Sequence, residues 1–172
     1  MHIAIQGLGN VGENLAGQLA ERGAKLTVTD VDEAHGKRVA DELGARFVEP
    51  DAIFEVDCEV FAPCALGAVI NDETIDRLGC DIVAGAANNQ LAEPRHGEAL
   101  VGRDILYAPD YVINAGGLIH VAEHYAGYDA DRARQRIEGL YFTLMEIFER
   151  AGDSGSPTSY VADQIVEEKL FG

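Results

Sequence analysis

The chain has 172 residues, of which 47% are hydrophobic, so it is long enough to fold as about one domain and apolar enough to bury a core, and intrinsic disorder is excluded. Asp and Glu number 30 against 13 Lys and Arg, a formal net charge of −17, which argues against nucleic-acid and anionic-membrane partners because their phosphates carry the same sign. With no apolar run of the ~18 residues that span a bilayer and no signal-peptide pattern, a cytoplasmic protein is expected.

Short strands alternate with helices from the first residue, a pattern typical of a parallel sheet with right-handed crossovers. The first half is predicted to contain strands at residues 2–6, 26–29 and 46–48, and helices at residues 10–22 and 33–43. The apolar face of the first helix is expected to carry Val11, Leu15 and Leu19, which are spaced by four residues. Gly44 is predicted to end the second helix as its C-cap.

The second half repeats the alternation and then becomes helical. It is predicted to contain strands at residues 58–62, 81–84 and 104–107, a helix at 72–78, a loop at 108–113, and helices at 115–125, 129–151 and 158–170. Six strands in two similar halves suit a dinucleotide. The predicted fold class is therefore α/β: a Rossmann-type, doubly wound, mostly parallel six-stranded sheet with helices on both faces and extra C-terminal helices. We expect a nucleotide-binding domain at residues 1–151 and a helical extension at 152–172.

A glycine-rich motif follows the first strand. Residues 7–12 read GLGNVG, the G-x-G-x-x-G pattern, between a strand and a helix. In this context the first glycine permits a tight turn, the second lets backbone N–H groups approach a pyrophosphate, and the third lets the helix pack close to the strand. We therefore expect the pyrophosphate to be held by Gly7, Gly9, Asn10, Val11 and Gly12. The alternative is a glycine-rich turn that only permits close packing.

An acidic residue stands at the end of the second strand. Asp30 lies eighteen residues after Gly12, where a carboxylate can accept hydrogen bonds from the hydroxyls of the adenosine ribose. A 2′-phosphate at this place would meet a like charge, and no arginine adjoins the position. The sequence thus predicts NAD as the cofactor in preference to NADP, with Asp30 and the adjacent Val31 at the adenosine end.

Five motifs stand out in the later segments: VFAPCALG at 60–67, INDET at 70–74, AGAANNQL at 84–91, EPRHG at 93–97 and YAPDYVINAGG at 107–117. These motifs resemble those of the L-amino-acid dehydrogenases that act on glutamate, leucine, phenylalanine and valine, most of all those acting on leucine. They extend over nearly the whole chain, but correspond only to the NAD-binding half of such an enzyme. The resemblance implies oxidative deamination of leucine, or a similar branched-chain or aromatic amino acid, to the 2-oxo acid, ammonia and NADH.

The resemblance also assigns residues along the expected cleft. It places Ala62, Pro63, Cys64 and Ala65 along the dinucleotide beyond the fourth strand. It implies that Asn88 and Asn89 reach the nicotinamide ribose or carboxamide, and that Asn114 faces the nicotinamide and the substrate. Because Asn often serves turns, loop-capping amides are the alternative for all three asparagines.

In that family a preceding domain carries the lysines that bind the substrate and a catalytic aspartate. This chain begins at the first strand, and Lys25, Lys37 and Lys169 match none of those roles. We therefore expect no catalytic residue here: the chain is expected to bind NAD without turnover and to meet an amino-acid substrate only together with that domain. An apolar surface that the domain would cover could produce a homo-oligomer. The alternative is a stand-alone NAD-binding or sensing module.

A second motif competes with this interpretation. Residues 120–124 read HVAEH, the H-x-x-E-H pattern of some zinc peptidases. Zinc catalysis also needs a third ligand, so we keep a peptidase as a remote alternative and predict no metal site. The cysteines, three in number and without C-x-x-C spacing, indicate buried thiols. Three groups of side chains are expected to be solvated: His35, His96, and the arginines at 132, 134 and 136.

Overall fold

The computed structural model describes residues 1–125 and 127–172. One sheet contains the strands β1 (His2–Gln6), β2 (Lys25–Thr29), β3 (Arg46–Phe47), β4 (Cys58–Pro63), β5 (Cys80–Val83) and β6 (Leu106–Tyr107). Their order is β3-β2-β1-β4-β5-β6, and all the pairings are parallel. The predicted doubly wound fold is confirmed. Since the order reverses between β1 and β4, the carboxyl ends of these two strands form the crevice where such sheets bind ligands.

The described residues contain the α-helices α1 (Asn10–Glu21), α2 (Glu33–Leu43), α3 (Arg95–Gly102), α4 (Asp110–Ile113), α5 (Gly116–Tyr125), α6 (Ala130–Ser154) and α7 (Thr158–Phe171). Short 3-10 helices lie at Pro50–Glu55 and Ile75–Arg77. The bounds predicted for α2 are confirmed, and Gly44 ends it in the left-handed conformation at φ 64°. Among the described residues, none of the helices has the length and apolar character that a bilayer span requires.

After β4, two predicted segments were wrong and one helix was missed. The helix predicted at 72–78 is a turn followed by the 3-10 helix Ile75–Arg77, because the Asn71 side chain accepts the backbone N–H groups of Glu73 at 2.9 Å and Thr74 at 3.2 Å. Helix α3 was not predicted, although Pro94 immediately before it is a typical helix start. The predicted loop at 108–113 contains the single turn of α4.

Two apolar cores cover the two faces of the sheet. Ile3 and Ile5 of β1 point into a core with α1 and α2, whereas Ala4 between them points into the other core. That second core is closed by the 3-10 helix Pro50–Glu55 and by Leu100 of α3. Helices therefore lie on both faces, as a parallel sheet requires.

Helix α1 packs through small residues. Its buried residues are Gly12 and Ala16, while Leu15 and Leu19 are half-buried and Val11 is 60% exposed. The predicted placement of Val11 on the buried face was therefore wrong. The reason is the close approach of α1 to the turn, which puts the Gly12 side of the helix against Gly7 and Cys64 and leaves Val11 exposed.

The C-terminal helices pack on one another and on β6. A third core joins α6, through Ile147 and Ala151, to α7, through Val161 and Ile165. The Thr158 hydroxyl at the start of α7 donates to the backbone carbonyl of Tyr107 in β6 at 2.7 Å. Helix α7 therefore packs on α6 and is hydrogen-bonded to β6, the strand at the edge of the sheet.

Candidate functional site

The glycine-rich turn is held by backbone packing. Gly7 has φ +91°, and a Cβ there would lie 2.6 Å from Cβ of Ala65. A Cβ at Gly12 would lie 2.0 Å from the Gly7 carbonyl oxygen. At Gly9, by contrast, a Cβ would meet no atom within 4 Å. Packing thus explains two of the three glycines, and the space outside Gly9 is open.

The N-terminus of α1 faces this open space. Gly9 is its N-cap residue, and no side chain caps the helix. Asn10 and Val11 in the first turn are exposed. Uncapped N–H groups together with the helix dipole give positive potential at this end, which suits a phosphate.

The carboxylate of Asp30 lies beside the same turn. Its Oδ2 accepts the backbone N–H of Leu8 at 2.7 Å, and its Oδ1 accepts the backbone N–H of Asp32 at 2.9 Å. A carboxylate has about four lone-pair positions, so acceptor capacity is left for a sugar hydroxyl. Val31 next to it is 91% exposed and offers an apolar surface to a ring. The structure therefore brings Asp30 and Val31 together with the turn.

A histidine supports the turn from the other side. His35 was predicted to be solvated, but its side chain is 29% exposed and its Nε2 donates to the Leu8 carbonyl at 2.9 Å. Because a carbonyl can only accept, Nε2 carries the proton, and Nδ1 accepts from Arg38 at 3.1 Å. No sequence motif indicated this contact, since His35 and Leu8 are 27 residues apart.

Residues 62–65 form the other wall of the crevice at the end of β4. The side chains of Ala62 and Pro63 are buried, Cys64 is half-buried and Ala65 is exposed. The backbone N–H of Cys64 donates to the Gln6 carbonyl at 2.7 Å, which joins the ends of β4 and β1. Burial raises the pKa of the Cys64 thiol, so it stays protonated. Backbone and Ala65 are what this segment presents to the crevice.

Cys58 and Cys80 are free thiols on neighbouring strands. Burial raises the pKa of Cys58 to about 11 and that of Cys80 to about 12. The predicted burial is confirmed for Cys58, whereas Cys64 and Cys80 are half-buried.

The predicted asparagines lie together in a cleft of about 610 Å³ formed by the loops after β5 and β6 and the start of α5. The Nδ2 group of Asn114 donates to Oδ1 of Asn88 at 2.7 Å. Asn88 and Asn89 are exposed, and Asn89 has φ +52°, a left-handed conformation that asparagine tolerates better than most residues. The structure brings all three amides to one cleft.

Behind this cleft is a buried polar network that the sequence did not indicate. Asp110 is 7% exposed, and its Oδ2 accepts the backbone N–H of Gln90 at 2.6 Å and the hydroxyl of Tyr107 at 3.0 Å. Burial, followed by the nearby Asp110 charge, raises the pKa of Tyr107, so its hydroxyl remains a donor. The partners are 3 and 20 residues from Asp110, and no local pattern pairs them.

The H-x-x-E-H segment has a structural explanation. Glu123 is fully buried, its Oε2 accepts from Nε of Arg132 at 2.6 Å, and its Oε1 lies 3.0 Å from Nη1 of Arg136. The hydrogen bond from Arg132 lowers the pKa of Glu123. The rings of His120 and His124 contact each other, with centroids 4.9 Å apart. In residues 1–125 and 127–172 no group of three or more His, Cys, Asp or Glu side chains could hold a metal ion.

Besides His35, the other two side-chain groups predicted to be solvated are also corrected, the arginines in part and His96 in full. Arg132 and Arg136 hold the buried Glu123 and are 43% and 58% exposed. His96 is 2% exposed: its Nδ1 accepts the Glu93 N–H at 3.0 Å, and its Nε2 lies 3.1 Å from Oδ1 of Asp72. His96 and its neighbour Gly97 are both buried in the first turn of α3, where a Cβ at Gly97 would lie 3.1 Å from Oγ of Ser159 in α7.

Comparison with known proteins agrees with this fold and these motifs. The model of the Glutamate/Leucine/Phenylalanine/Valine dehydrogenase family matches residues 27–127. Leucine dehydrogenase of Thermoactinomyces intermedius is 51% identical over 168 residues, 98% of this chain and 46% of that protein. The crystal structure of L-tryptophan dehydrogenase from Nostoc punctiforme superposes with a TM-score of 0.95 at 46% identity, over 98% of this chain and 52% of that one.

Phenylalanine dehydrogenase of Thermoactinomyces intermedius is 42% identical over 170 residues. The chain spans about half the length of the curated relatives that it matches. The match to the family model covers more than half of the 172 residues and includes the asparagine cleft. The chain belongs to the Glutamate/Leucine/Phenylalanine/Valine dehydrogenase family.

Proposed function

We propose that this chain is the NAD-binding part of an L-amino-acid dehydrogenase. The single observation that carries the proposal is the junction of the uncapped N-terminus of α1 with the Asp30 carboxylate, joined by the hydrogen bond from Leu8 to Asp30. It combines a site for a phosphate with an acceptor for sugar hydroxyls. The open space outside Gly9 is compatible with a pyrophosphate close to the backbone.

Each group of predicted residues would bind one part of the dinucleotide along the carboxyl edge of the sheet. The pyrophosphate would be held by Gly7, Gly9, Asn10, Val11 and Gly12. Asp30 and Val31 would hold the adenosine, and the Asp30 charge favours NAD over NADP because a 2′-phosphate would be repelled there. The segment 62–65 would lie along the middle of the dinucleotide. The amides of Asn88, Asn89 and Asn114 would orient the nicotinamide end.

The proposed reaction is oxidative deamination of leucine, or of a similar branched-chain or aromatic amino acid, to the 2-oxo acid and ammonia. When bound, NAD supplies the acceptor for the hydride. The residues of this chain orient that acceptor and narrow the space beside Asn114, where the substrate would lie. Support for the substrate class comes from the names of the relatives, which act on leucine, tryptophan and phenylalanine.

We further propose that these 172 residues bind NAD without turnover. A substrate α-carboxylate needs a cation, and the residues that line the asparagine cleft in the described chain include no lysine or arginine. Lys25 lies at the opposite, amino edge of the sheet, and Lys37 pairs with Glu33 on α2. The cations would come from a domain outside these residues. In this proposal the enzyme acts in the cytoplasm, with the amino acid as its second partner, and the apolar surface of α5 and α6 allows a homo-oligomer.

The test is calorimetric titration of the purified chain with NAD and with NADP, beside an assay of NADH formation from leucine and NAD. Binding of NAD, weak or no binding of NADP, and no NADH are the expected results. If NADH forms, the proposal that the substrate-binding cations lie outside these residues is wrong. If neither nucleotide binds, the proposed function is wrong, and a scaffold or sensing module without NAD replaces it.

A further inference from the structure

Helix α4 is attached to the loop after β5 at both of its ends. At its start, Asp110 accepts the backbone N–H of Gln90 at 2.6 Å. At its end, Asn114 donates to the side chain of Asn88 at 2.7 Å. Within the helix, the N–H of Asn114 donates to the carbonyl of Asp110 at 2.9 Å. One turn of helix thus transmits the position of Asp110 directly to the amide pair.

The two attachments differ in their exposure to water. The Asp110 end is buried: Gln90 is 0% exposed and Tyr107 is 4% exposed. The Tyr107 hydroxyl donates to the same Oδ2 that accepts from Gln90, and it accepts the backbone N–H of Asp110 at 3.2 Å. Hydrogen bonds away from water are stronger and more rigid than exposed ones. The buried end is therefore the anchor, and the half-exposed amide end is what it holds in place.

Gln90 extends the anchor into the loop that carries the asparagines. Its Nε2 donates to the carbonyls of Gly85 at 2.8 Å and Ala87 at 2.9 Å, just before Asn88. Gly85 is itself packed so tightly that a Cβ would lie 2.2 Å from the Pro63 carbonyl oxygen. The inner side of this loop is thus fixed at several points, while its outer side presents Asn88 to the cleft.

We infer that Asp110 is a positioning residue for the nicotinamide end of the dinucleotide. It acts through Gln90 on one loop and through α4 on the other, so that the amides of Asn88 and Asn114 meet at one geometry. The inference rests on the proposed function, because the amides matter only if a nicotinamide binds beside them. The inference assigns to Asp110, a buried carboxylate remote from the pyrophosphate turn, the preference for a dinucleotide that carries the nicotinamide over one that lacks it.

The experiment compares NAD with ADP-ribose, which lacks the nicotinamide, by calorimetric titration of the 172-residue chain. In the wild type NAD binds more tightly than ADP-ribose. In Asp110→Ala we expect this preference to fall about tenfold, because one to two hydrogen bonds are lost. The affinity for ADP-ribose should change by less than about twofold. In Asp110→Asn the preference is kept, because both hydrogen bonds fall on one oxygen and an amide oxygen can accept both.

Thr158→Ala is the matched control. It removes a buried hydrogen bond to the Tyr107 carbonyl but leaves the hydrogen bonds of Gln90, Asp110 and Asn114 in place, so it lowers the melting temperature and leaves the preference for NAD unchanged. Tyr107→Phe removes one of the two donors to Asp110, and its preference falls about threefold. It serves as the test if Asp110→Ala does not fold.

Three results would overturn the inference: an unchanged preference in the variants of Asp110 and Tyr107, an equal loss of affinity for both ligands, or equal binding of both ligands by the wild type. In these cases ADP-ribose still binds the wild type and the proposed function stands. If the wild type binds neither ligand, the proposed function itself fails, and the inference fails with it.

Discussion

The two ends of the crevice are held by different kinds of contact. The turn between β1 and α1 is fixed by backbone contacts, with Gly7 and Gly12 leaving no room for a side chain. The loops after β5 and β6 are fixed by the side chains of Gln90, Asp110 and Asn114. A substitution that adds a side chain at Gly7 or Gly12 should therefore disrupt the turn, whereas the loops after β5 and β6 should respond to the loss of single hydrogen bonds.

The largest effect is expected at Gly12. In Gly12→Ala the new Cβ would lie 2.0 Å from the Gly7 carbonyl oxygen, so α1 or the turn must move. We expect a loss of about 3 kcal/mol or more in the free energy of unfolding, measured by urea denaturation, and loss of NAD binding.

Gly17→Ala on the same helix is the control. A Cβ at Gly17 meets no atom within 4 Å, so alanine should raise stability by about 1 kcal/mol through helix propensity. Similar stabilities for the two variants would refute the steric account of the turn.

The next largest effect is expected at Gln90, at the other end of the crevice. Gln90→Leu leaves the carbonyls of Gly85 and Ala87 without their side-chain donors, which should cost about 2–4 kcal/mol of unfolding free energy. Gln18→Leu, on an exposed position of α1, should change it by less than about 0.5 kcal/mol. If urea denaturation gives equal values for both, the second end is not held by side chains.

Asp30→Asn tests the charge at the adenosine end. We expect the affinity for NAD to fall about tenfold and the preference for NAD over NADP to narrow, because the amide neither repels a 2′-phosphate nor accepts as strongly. Asp41→Asn on the exposed side of α2 makes the same charge change and should leave both titrations as in the wild type. A preference for NAD that persists in Asp30→Asn would show that another group sets cofactor choice.

The smallest effect is expected beyond the second end, at Glu123. Its pKa is lowered in the folded chain by Arg132, so it stabilises the fold above the ordinary glutamate value of 4.5, and this contribution is lost as the pH falls below it. Arg132 and Arg136 are partly exposed, which weakens the effect. Glu123→Gln should therefore flatten the acid limb of a plot of melting temperature against pH. The exposed Glu138→Gln should keep the wild-type slope.

Local sequence patterns were sufficient to predict most of the first half of the molecule. The bounds of β1 and α2, the left-handed Gly44 and the glycine-rich turn all follow from patterns within a few residues. Alternating strands and helices, and the turn residues between them, are local signals, so the parallel sheet and its doubly wound order could be predicted. The predicted burial of Val11 was wrong because small residues, Gly12 and Ala16, form the contact face of α1.

Which polar side chains are buried, and which groups they bind, could not be predicted without the fold. His35 reaches Leu8 across 27 residues, His96 reaches Asp72 across 24, and Asp110 reaches Gln90 across 20. A polar side chain is stable in the interior only when a partner meets it there, and that partner is supplied by the fold rather than by neighbouring residues. The asparagines could be identified from the sequence, but the buried anchor behind them depends on two loops that meet only after the sheet has formed.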